Sequence, residues 1–250
     1  MSDMQSTAQH FERLALRYRE LRASNAAVDP VTETVVELGR LRGGRVLDVG
    51  CGPGTVTRQL ARGFAIDAVG IDSSPKMIEV ARGESEPHVE LYVGRAEELP
   101  VESETFDGVV MRWVVHHLDR PRAFAEIRRV LKPGGRLVVT TTDPAAIETF
   151  WLAPYFASYV AIERRRFPDA ELFRRELLEA GFGGVRVVPF VLQRRFSREA
   201  ALTRIRGRAY SSFALMSDEE YEAGVAAAET GLPAEVSYDL RLLNVLAVRP

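Results

Sequence analysis

The sequence predicts an α/β fold: a doubly wound parallel sheet covered on both faces by helices. Three observations predict it. Short runs dominated by Val, Ile and Leu fall at 45–50, 67–72, 89–94, 106–112 and 136–142. Helical or loop segments separate them, the pattern of a buried parallel sheet. The first run ends in glycines at alternate positions, Gly50, Gly52 and Gly54, two residues after Asp48. Glycine there permits unusual dihedrals and a close approach of backbone to a ligand.

The elements follow in order. Phe11, Leu14, Ala15, Tyr18 and Leu21 recur at the spacing of one helical face, which predicts a helix over 8–22. Asp29 and Pro30 supply an N-cap and a first-turn proline for a second helix over 31–42, with Gly43-Gly44 as its stop. Strand 45–50 leads to helix 55–62, and strand 67–72 to helix 75–82, started by Ser74 and Pro75. Strands 89–94 and 106–112 precede helix 121–131, with Pro121 at its first position, where a missing amide hydrogen is harmless. Gly134-Gly135 turns into strand 136–142. Right-handed crossovers make this a Rossmann-like layer.

The pattern changes after Asp143-Pro144. Residues 145–168 hold Phe150, Trp151, Tyr155, Phe156, Tyr159 and Phe167. Helix 169–180 follows, capped by Asp169 and stopped by Gly181, then strand 185–192 and a basic stretch from Arg194 to Arg208. Ser217 to Glu220 reads as a capping box for helix 218–229, and the last strand is 241–248. This predicts one domain over 1–250: N-terminal helices in 8–42, a core in 45–142, and insertions at 145–168 and 197–230.

Composition narrows the function. The chain has 250 residues, 46% apolar, 27% charged, with net charge −2, so no overall basic field points to nucleic acid. The single cysteine, Cys51, excludes a disulfide framework and fits a reducing cytosol. No apolar run approaches the ~18–20 residues a membrane helix needs. The N-terminal segment is arginine-rich (Arg13, Arg17, Arg19, Arg22), but Asp3, Glu12 and Glu20 oppose a presequence, and a cytoplasmic location is expected.

The loop Asp48-Val-Gly-Cys-Gly-Pro-Gly54 is neither a P-loop, which needs Gly-Lys-Ser/Thr, nor the G-x-G-x-x-G of dinucleotide binders. An acid two residues before it would repel pyrophosphate and suit a ligand carrying an ammonium group. Asp72 closes the second strand, where a carboxylate can accept both ribose hydroxyls.

These residues resemble the first motif of the class I S-adenosylmethionine-dependent methyltransferases. Gly94–Pro100 resembles that family's third-strand motif, Phe106–Leu118 its fourth-strand segment, and Leu131–Val139 its turn into the fifth strand. The resemblance covers roughly 8–142. It implies a seven-stranded sheet with the last strand antiparallel, a three-layer α/β/α core, helical insertions that form a substrate lid, and S-adenosylmethionine as cofactor with S-adenosylhomocysteine as product. It further implies that Asp48, Gly50, Cys51, Gly52 and Gly54 form the cofactor-binding loop, with the Gly50 carbonyl at the amino-acid end and Cys51 a small packed residue, and that Asp72 holds the ribose. The side chain of Ser73 or Met77 would pack against the adenine, the backbone at Arg112 would pass near the methionine portion, and Tyr18 would close over the carboxylate, with simple packing as its alternative. Arg95 stands where many relatives carry the acid that meets the adenine amino group, so that contact would come from the Ala96 backbone, from Glu97 or from elsewhere.

Methyl transfer needs a docked nucleophile and excluded water, with a general base only where the acceptor must lose a proton. His116 and His117, just past the fourth strand, are the candidate bases, with a structural role as the alternative. His10 and His88 read as surface residues. No metal-ligand spacing occurs, so no metal is expected. Trp113, Phe150, Trp151, Tyr155 and Tyr210 suggest an apolar or planar small-molecule acceptor, with the core of the insertions as the alternative, and Arg206, Arg208 and Ser212 an anionic one, with a solvated basic helix as the alternative. Competing readings are a nucleic-acid methyltransferase, a non-catalytic cofactor-binding protein and a nicotinamide-dependent oxidoreductase. The expectation is a small-molecule enzyme, monomeric or homodimeric, with no nucleic-acid or membrane partner.

Overall fold

The computed structural model describes residues 2–22 and 28–250; Met1 and residues 23–27 lie outside the described residues, as do the side chains of 2–6, 8, 19, 20 and 22. The charges expected of Asp3, Arg19, Glu20 and Arg22 fall among those side chains.

Seven strands form one sheet: β1 (Arg45–Val49), β2 (Asp67–Asp72), β3 (Val89–Val93), β4 (Phe106–Arg112), β5 (Leu131–Thr142), β6 (Gly183–Ser197) and β7 (Glu235–Val248). Their order is β3-β2-β1-β4-β5-β7-β6. The first five run parallel, and β7 is antiparallel to both neighbours. The order reverses between β1 and β4, and at such a switch point ligands collect beyond the carboxyl ends of the strands.

Helices cover both faces. Alternation along β1 sends Leu47 and Val49 to one side, where they join Phe124 and Ile127 of α5 (Arg120–Val130) and Phe173 and Leu177 of α7 (Ala170–Glu179). Val46 points the other way, to Val35 and Val36 of α2 (Pro30–Gly39) and Leu60 and Phe64 of α3 (Thr55–Phe64). Asp48 shares that second side, a carboxylate placed at a core position. Between them, α4 (Pro75–Arg82) buries Met77, Ile78 and Ala81. The first helix, α1 (Ser2–Arg22), buries Leu14, Ala15 and Leu21 and lies across α4 and the 3-10 turn at Ser211–Ala214.

Three local readings change. The second helix stops earlier than Gly43-Gly44, because Arg40 adopts left-handed dihedrals and closes the last turn. Asp119, whose carboxylate accepts from the Arg122 amide, caps α5, so Pro121 takes the second helical position. Ser217 caps α9 (Asp218–Gly231) as expected, but Glu220 does not reach back to it; its carboxylate accepts from the Ser158 amide 2.7 Å away.

The larger difference lies in β6 and β7, which run past the expected 185–192 and 241–248. Pairing of β5 with β7 ends at Thr142 and Leu242, whereas β6 and β7 stay paired out to Ser197 and Glu235. A two-stranded ribbon thus overhangs the carboxyl edge of the sheet. On it the two expected insertions pack into one core: Trp151 and Phe156, Tyr159 and Ile162 of α6 (Tyr159–Arg166), Ala201 and Ile205 of α8 (Arg198–Arg206), and Phe213 and Tyr221. Among the described residues no helix is long and apolar enough to cross a membrane.

Candidate cofactor and acceptor site

The glycine loop is pinned to the next strand, with the Gly50 and Cys51 amides donating to the Ile71 carbonyl at 2.8 and 3.1 Å. Gly50, Gly52 and Gly54 have φ of 74°, 53° and 74°, in the region that favours glycine. A Cβ on Gly50 would meet Val114 Cγ2 at 2.5 Å, while one on Gly52 would meet nothing within 4 Å. One glycine is demanded by packing and the other leaves open space where a ligand can lie against bare backbone. Gly54 is the left-handed residue before α3, whose first turn has no side-chain cap.

Two carboxylates anchor this loop. Asp48 is buried and accepts from Thr57 Oγ1 at 2.7 Å; burial pushes its carboxyl up to about 6. Asp72 accepts from the Gly52 amide at 2.8 Å and from the Ser74 amide at 2.9 Å, and burial raises its pKa. Glu12 of α1 accepts from Ser74 Oγ, which brings a further acid to the same end. Cys51 is buried with its thiol pushed up by burial, so it stays protonated and packed.

A cavity of about 1380 Å³ opens over this loop and extends under the ribbon. Tyr18, Asp48, Gly50, Cys51, Gly52, Asp72, Ser73, Met77, Ala96, Glu97, Arg112, His116 and His117 all line it; Gly54 does not. Some of these side chains are already engaged. Glu97 accepts from the Asp119 amide at 3.1 Å and pairs with Arg95 at 3.2 Å. The Arg112 guanidinium is buried against Asp29, at 3.0 Å, and bonds the Thr32 hydroxyl. Burial alone would raise the Asp29 carboxyl, but Arg112 and the helix amides it caps hold it below the usual range.

Both histidines lie between α1 and α6. His116 stacks on His117 and Phe167, with ring centroids at 4.0 and 4.2 Å. Burial keeps both rings neutral, His116 well below its ordinary value and His117 at about 3. A ring so hard to protonate opposes the general-base reading of this pair. His10, expected at the surface, is half-buried between Phe11 and Arg208 and lowered by burial to about 4. His88 is exposed beside Asp67, as expected.

The aromatic set is redrawn. Trp113, Phe150 and Tyr210 line the cavity together with Tyr159, Phe167, Phe196 and Tyr238. Trp151 packs against Phe196 inside the insertion core, and the Tyr155 ring fills space beside Gly231. The expected anion pair also moves. Arg206 bonds Glu229 at 2.6 Å, and Arg208 bonds Asp218 at 3.0 Å while covering the Tyr221 ring; neither lines the cavity, although Ser212 does. Arg194, Arg195 and Arg204 line it instead. Sequence reasoning missed Asp29, Thr32 and Glu12 at this site, because their partners lie 62 to 83 residues away.

Comparison with known proteins agrees with this geometry. Residues 47–139 match the methyltransferase domain family. An O-methyltransferase of Penicillium expansum is 35% identical over 156 residues, 60% of this chain and 56% of that one. A demethylmenaquinone methyltransferase of Staphylococcus aureus is 33% identical over 178 residues, 62% of this chain and 74% of that one. A crystal structure of a protein of Anabaena variabilis, assigned as a methyltransferase of an antibiotic biosynthesis pathway, shares the fold with a TM-score of 0.71 at 22% identity, covering 86% of this chain and 95% of that one. The chain spans only 31% to 56% of the length of several other curated relatives, the Penicillium protein among them. Sheet order, glycine loop and cavity define a nucleotide-type α/β domain. The chain belongs to the class I S-adenosylmethionine-dependent methyltransferases.

Proposed function

We propose that this protein methylates a small molecule, with S-adenosylmethionine bound over the glycine loop and the acceptor under the ribbon. One observation carries the reading: a single cavity joins a cofactor end floored by Gly52 and Asp72 to an aromatic end walled by Phe150 and Tyr238. Its volume exceeds the ~300–1,000 Å³ usual for one small ligand and accommodates two.

The residues fit the cofactor. The open flank of Gly52 lets an extended ligand lie on the loop. Asp72 has spare lone pairs for ribose hydroxyls, and the buried Asp48 offers negative charge to an ammonium group. Met77 and Ala96 supply an apolar slot at the adenine end. When bound, the cofactor supplies an activated methyl group on a sulfonium.

The chain's own work is to bind, orient and exclude water. Asp29 fixes Arg112 at the end of β4, which keeps the cavity wall rigid. Tyr18 and Phe11 of α1 close the cavity from above, with Phe11 packed on His117 at 5.4 Å. Segments 145–168 and 197–230 act as the acceptor lid of one domain spanning 1–250. Near-attack positioning supplies up to ~7–11 kcal/mol without any base. A cytoplasmic monomer or homodimer with no nucleic-acid or membrane partner is in keeping with the net charge of −2 and the reduced, buried Cys51.

The test is a melt with S-adenosylmethionine, S-adenosylhomocysteine, NAD or no ligand. At ~100 times its dissociation constant a ligand adds about 2.7 kcal/mol, a rise of roughly 5–10 °C at this size. A rise with the two adenosyl-sulfur ligands and none with NAD is expected; the reverse would refute the proposal.

A further inference from the structure

Three arginines at the aromatic end of the cavity, Arg194, Arg195 and Arg204, have no ion pair among the described residues; Arg195 is exposed and alternates to the other face of β6, which leaves Arg194 and Arg204 on the cavity side. Leu192, Arg194 and Phe196 alternate onto one face of β6, opposite Leu240, Tyr238 and Val236 of β7. Arg194 is half-buried, with no ion pair or hydrogen bond among the described residues. From α8, Arg204 lays its guanidinium over the Phe196 ring at 4.6 Å; among the described residues it hydrogen-bonds only the Ala200 carbonyl of its own helix. Phe196 thus carries the Arg204 guanidinium and shares its strand face with Arg194, and all three line the same cavity.

Four other arginines nearby are matched. Arg112 has Asp29, Arg166 has Glu163 at 3.1 Å, Arg206 has Glu229 and Arg208 has Asp218. Glu163, the acid at this end of the cavity, is thereby used. The remaining acids of the wall, Glu12, Asp48, Asp72, Glu84 and Glu97, belong to the glycine-loop end, where Glu84 pairs with Arg58 beside Pro53. The arginines at the loop end, Arg58, Arg95 and Arg112, are each paired with an acid, so the cations of the wall that lack an ion pair among the described residues lie at the far end. A guanidinium drawn into an aromatic recess loses hydration, a cost that an anionic ligand offsets with paired, charge-assisted hydrogen bonds.

We propose that Arg194 and Arg204 form an anion-binding subsite, and that the acceptor carries a carboxylate, sulfonate or phosphate group on a planar apolar body. Phe150 stands nearly perpendicular to Tyr238 and Tyr210, at 5.1 and 5.8 Å, and these rings form the walls against which that body lies. The subsite deepens the methyltransferase reading: it names the acceptor's chemical class and rests on that reading only for the word acceptor.

The probes are 8-anilinonaphthalene-1-sulfonate, a planar anion, and N-phenyl-1-naphthylamine, the same ring system without the sulfonate. Both are titrated by fluorescence into the full chain, with and without saturating S-adenosylhomocysteine. Wild type should bind the anionic dye at least tenfold more tightly than the neutral one. Arg194→Gln and Arg204→Gln should each weaken the anionic dye by about tenfold and leave the neutral dye within twofold, as loss of one charged hydrogen-bonding partner implies. Arg194→Lys should retain part of the preference. Arg206→Gln makes the same charge change outside the cavity and should move neither dye.

Equal binding of the two dyes by wild type overturns the subsite. So does an anionic-dye affinity that ignores Arg194 and Arg204, or falls equally with Arg206→Gln. Calorimetry of S-adenosylhomocysteine on the same proteins separates the two claims: absent cofactor binding refutes the methyltransferase reading while the dye comparison without cofactor still decides the subsite.

Discussion

The Arg166 guanidinium donates to His117 Nδ1 at 3.3 Å. A guanidinium accepts nothing, so Nδ1 presents its lone pair and the ring proton resides on Nε2. Nε2 is buried with no partner among the described residues. His117 is thus a neutral hydrogen-bond donor held ready in the cavity wall. Its folded pKa of about 3 lies below the ordinary 6.5. The stability it contributes is complete above pH 6.5 and is lost as pH falls toward 3, because only the unfolded chain binds the proton. Between pH 7 and pH 5 that linkage costs about 2 kcal/mol, a fall of roughly 4–8 °C in Tm. His117→Gln removes this titration, so its melting temperature should fall less over the same interval. An unchanged acid slope would contradict the burial.

Gly50 and Gly52 should separate packing from binding. Alanine at Gly50 drives a Cβ into Val114 and keeps a left-handed φ, so stability should drop by about 2–4 kcal/mol. Alanine at Gly52 meets open space and carries the dihedral cost alone, about 1–2 kcal/mol. Its methyl group occupies the flank assigned to the cofactor, and affinity for S-adenosylhomocysteine should fall more than tenfold. Melting curves and calorimetry on the two variants check both halves.

Much of the frame was legible because local chemistry and tertiary placement agree there. Strands 67–72 and 106–112 and helix 75–82 fall where their apolar runs, Asp72 and the Ser74-Pro75 start place them. The ribbon was not legible. Its Arg194 and Arg195 interrupt the apolar pattern, and only long-range pairing with Tyr238 and Ser237 makes them a strand. Charge partners were equally hidden: the sequence shows that Arg206 and Arg208 are cations, but not that Glu229 and Asp218 have claimed them. The glycine loop reads correctly as an open turn, while the bond from Thr57 to Asp48 depends on how α3 packs on β1.

Asp29 joins two tasks, and its removal should cost both. It caps α2 by accepting from the Val31 and Thr32 amides, each at 3.0 Å, and it neutralises the buried Arg112. Asp29→Ala leaves that guanidinium uncompensated, a loss of about 3–5 kcal/mol, with about 1 more for the cap. Adding Arg112→Met removes the stranded charge and should recover more than half of the deficit. A double-mutant cycle from denaturant melts checks this, and strictly additive losses would show that the pair is not coupled.

Asp48 trades fold stability for binding. Its pKa of about 6 stands above the ordinary 3.8 because the ionised form is buried, the sign opposite to that of His117. A raised carboxyl stabilises the fold as its proton goes on, so the contribution is present at acid pH and is lost as pH rises through 6. At pH 7 the ionised group is a burden of up to about 3 kcal/mol. Asp48→Asn keeps an oxygen for the Thr57 hydroxyl and removes the charge. The free variant should therefore melt higher than wild type at pH 7, by up to roughly 6–12 °C. The same change deletes the negative charge offered to the cofactor's ammonium group, so affinity for S-adenosylhomocysteine should drop about tenfold. For wild type, affinity should strengthen from pH 5 to pH 7 as Asp48 ionises, whereas the variant should show a flatter profile. Calorimetry across that interval, paired with melts of the ligand-free proteins, tests the trade; a variant that binds as tightly as wild type would place the ammonium group elsewhere on the loop.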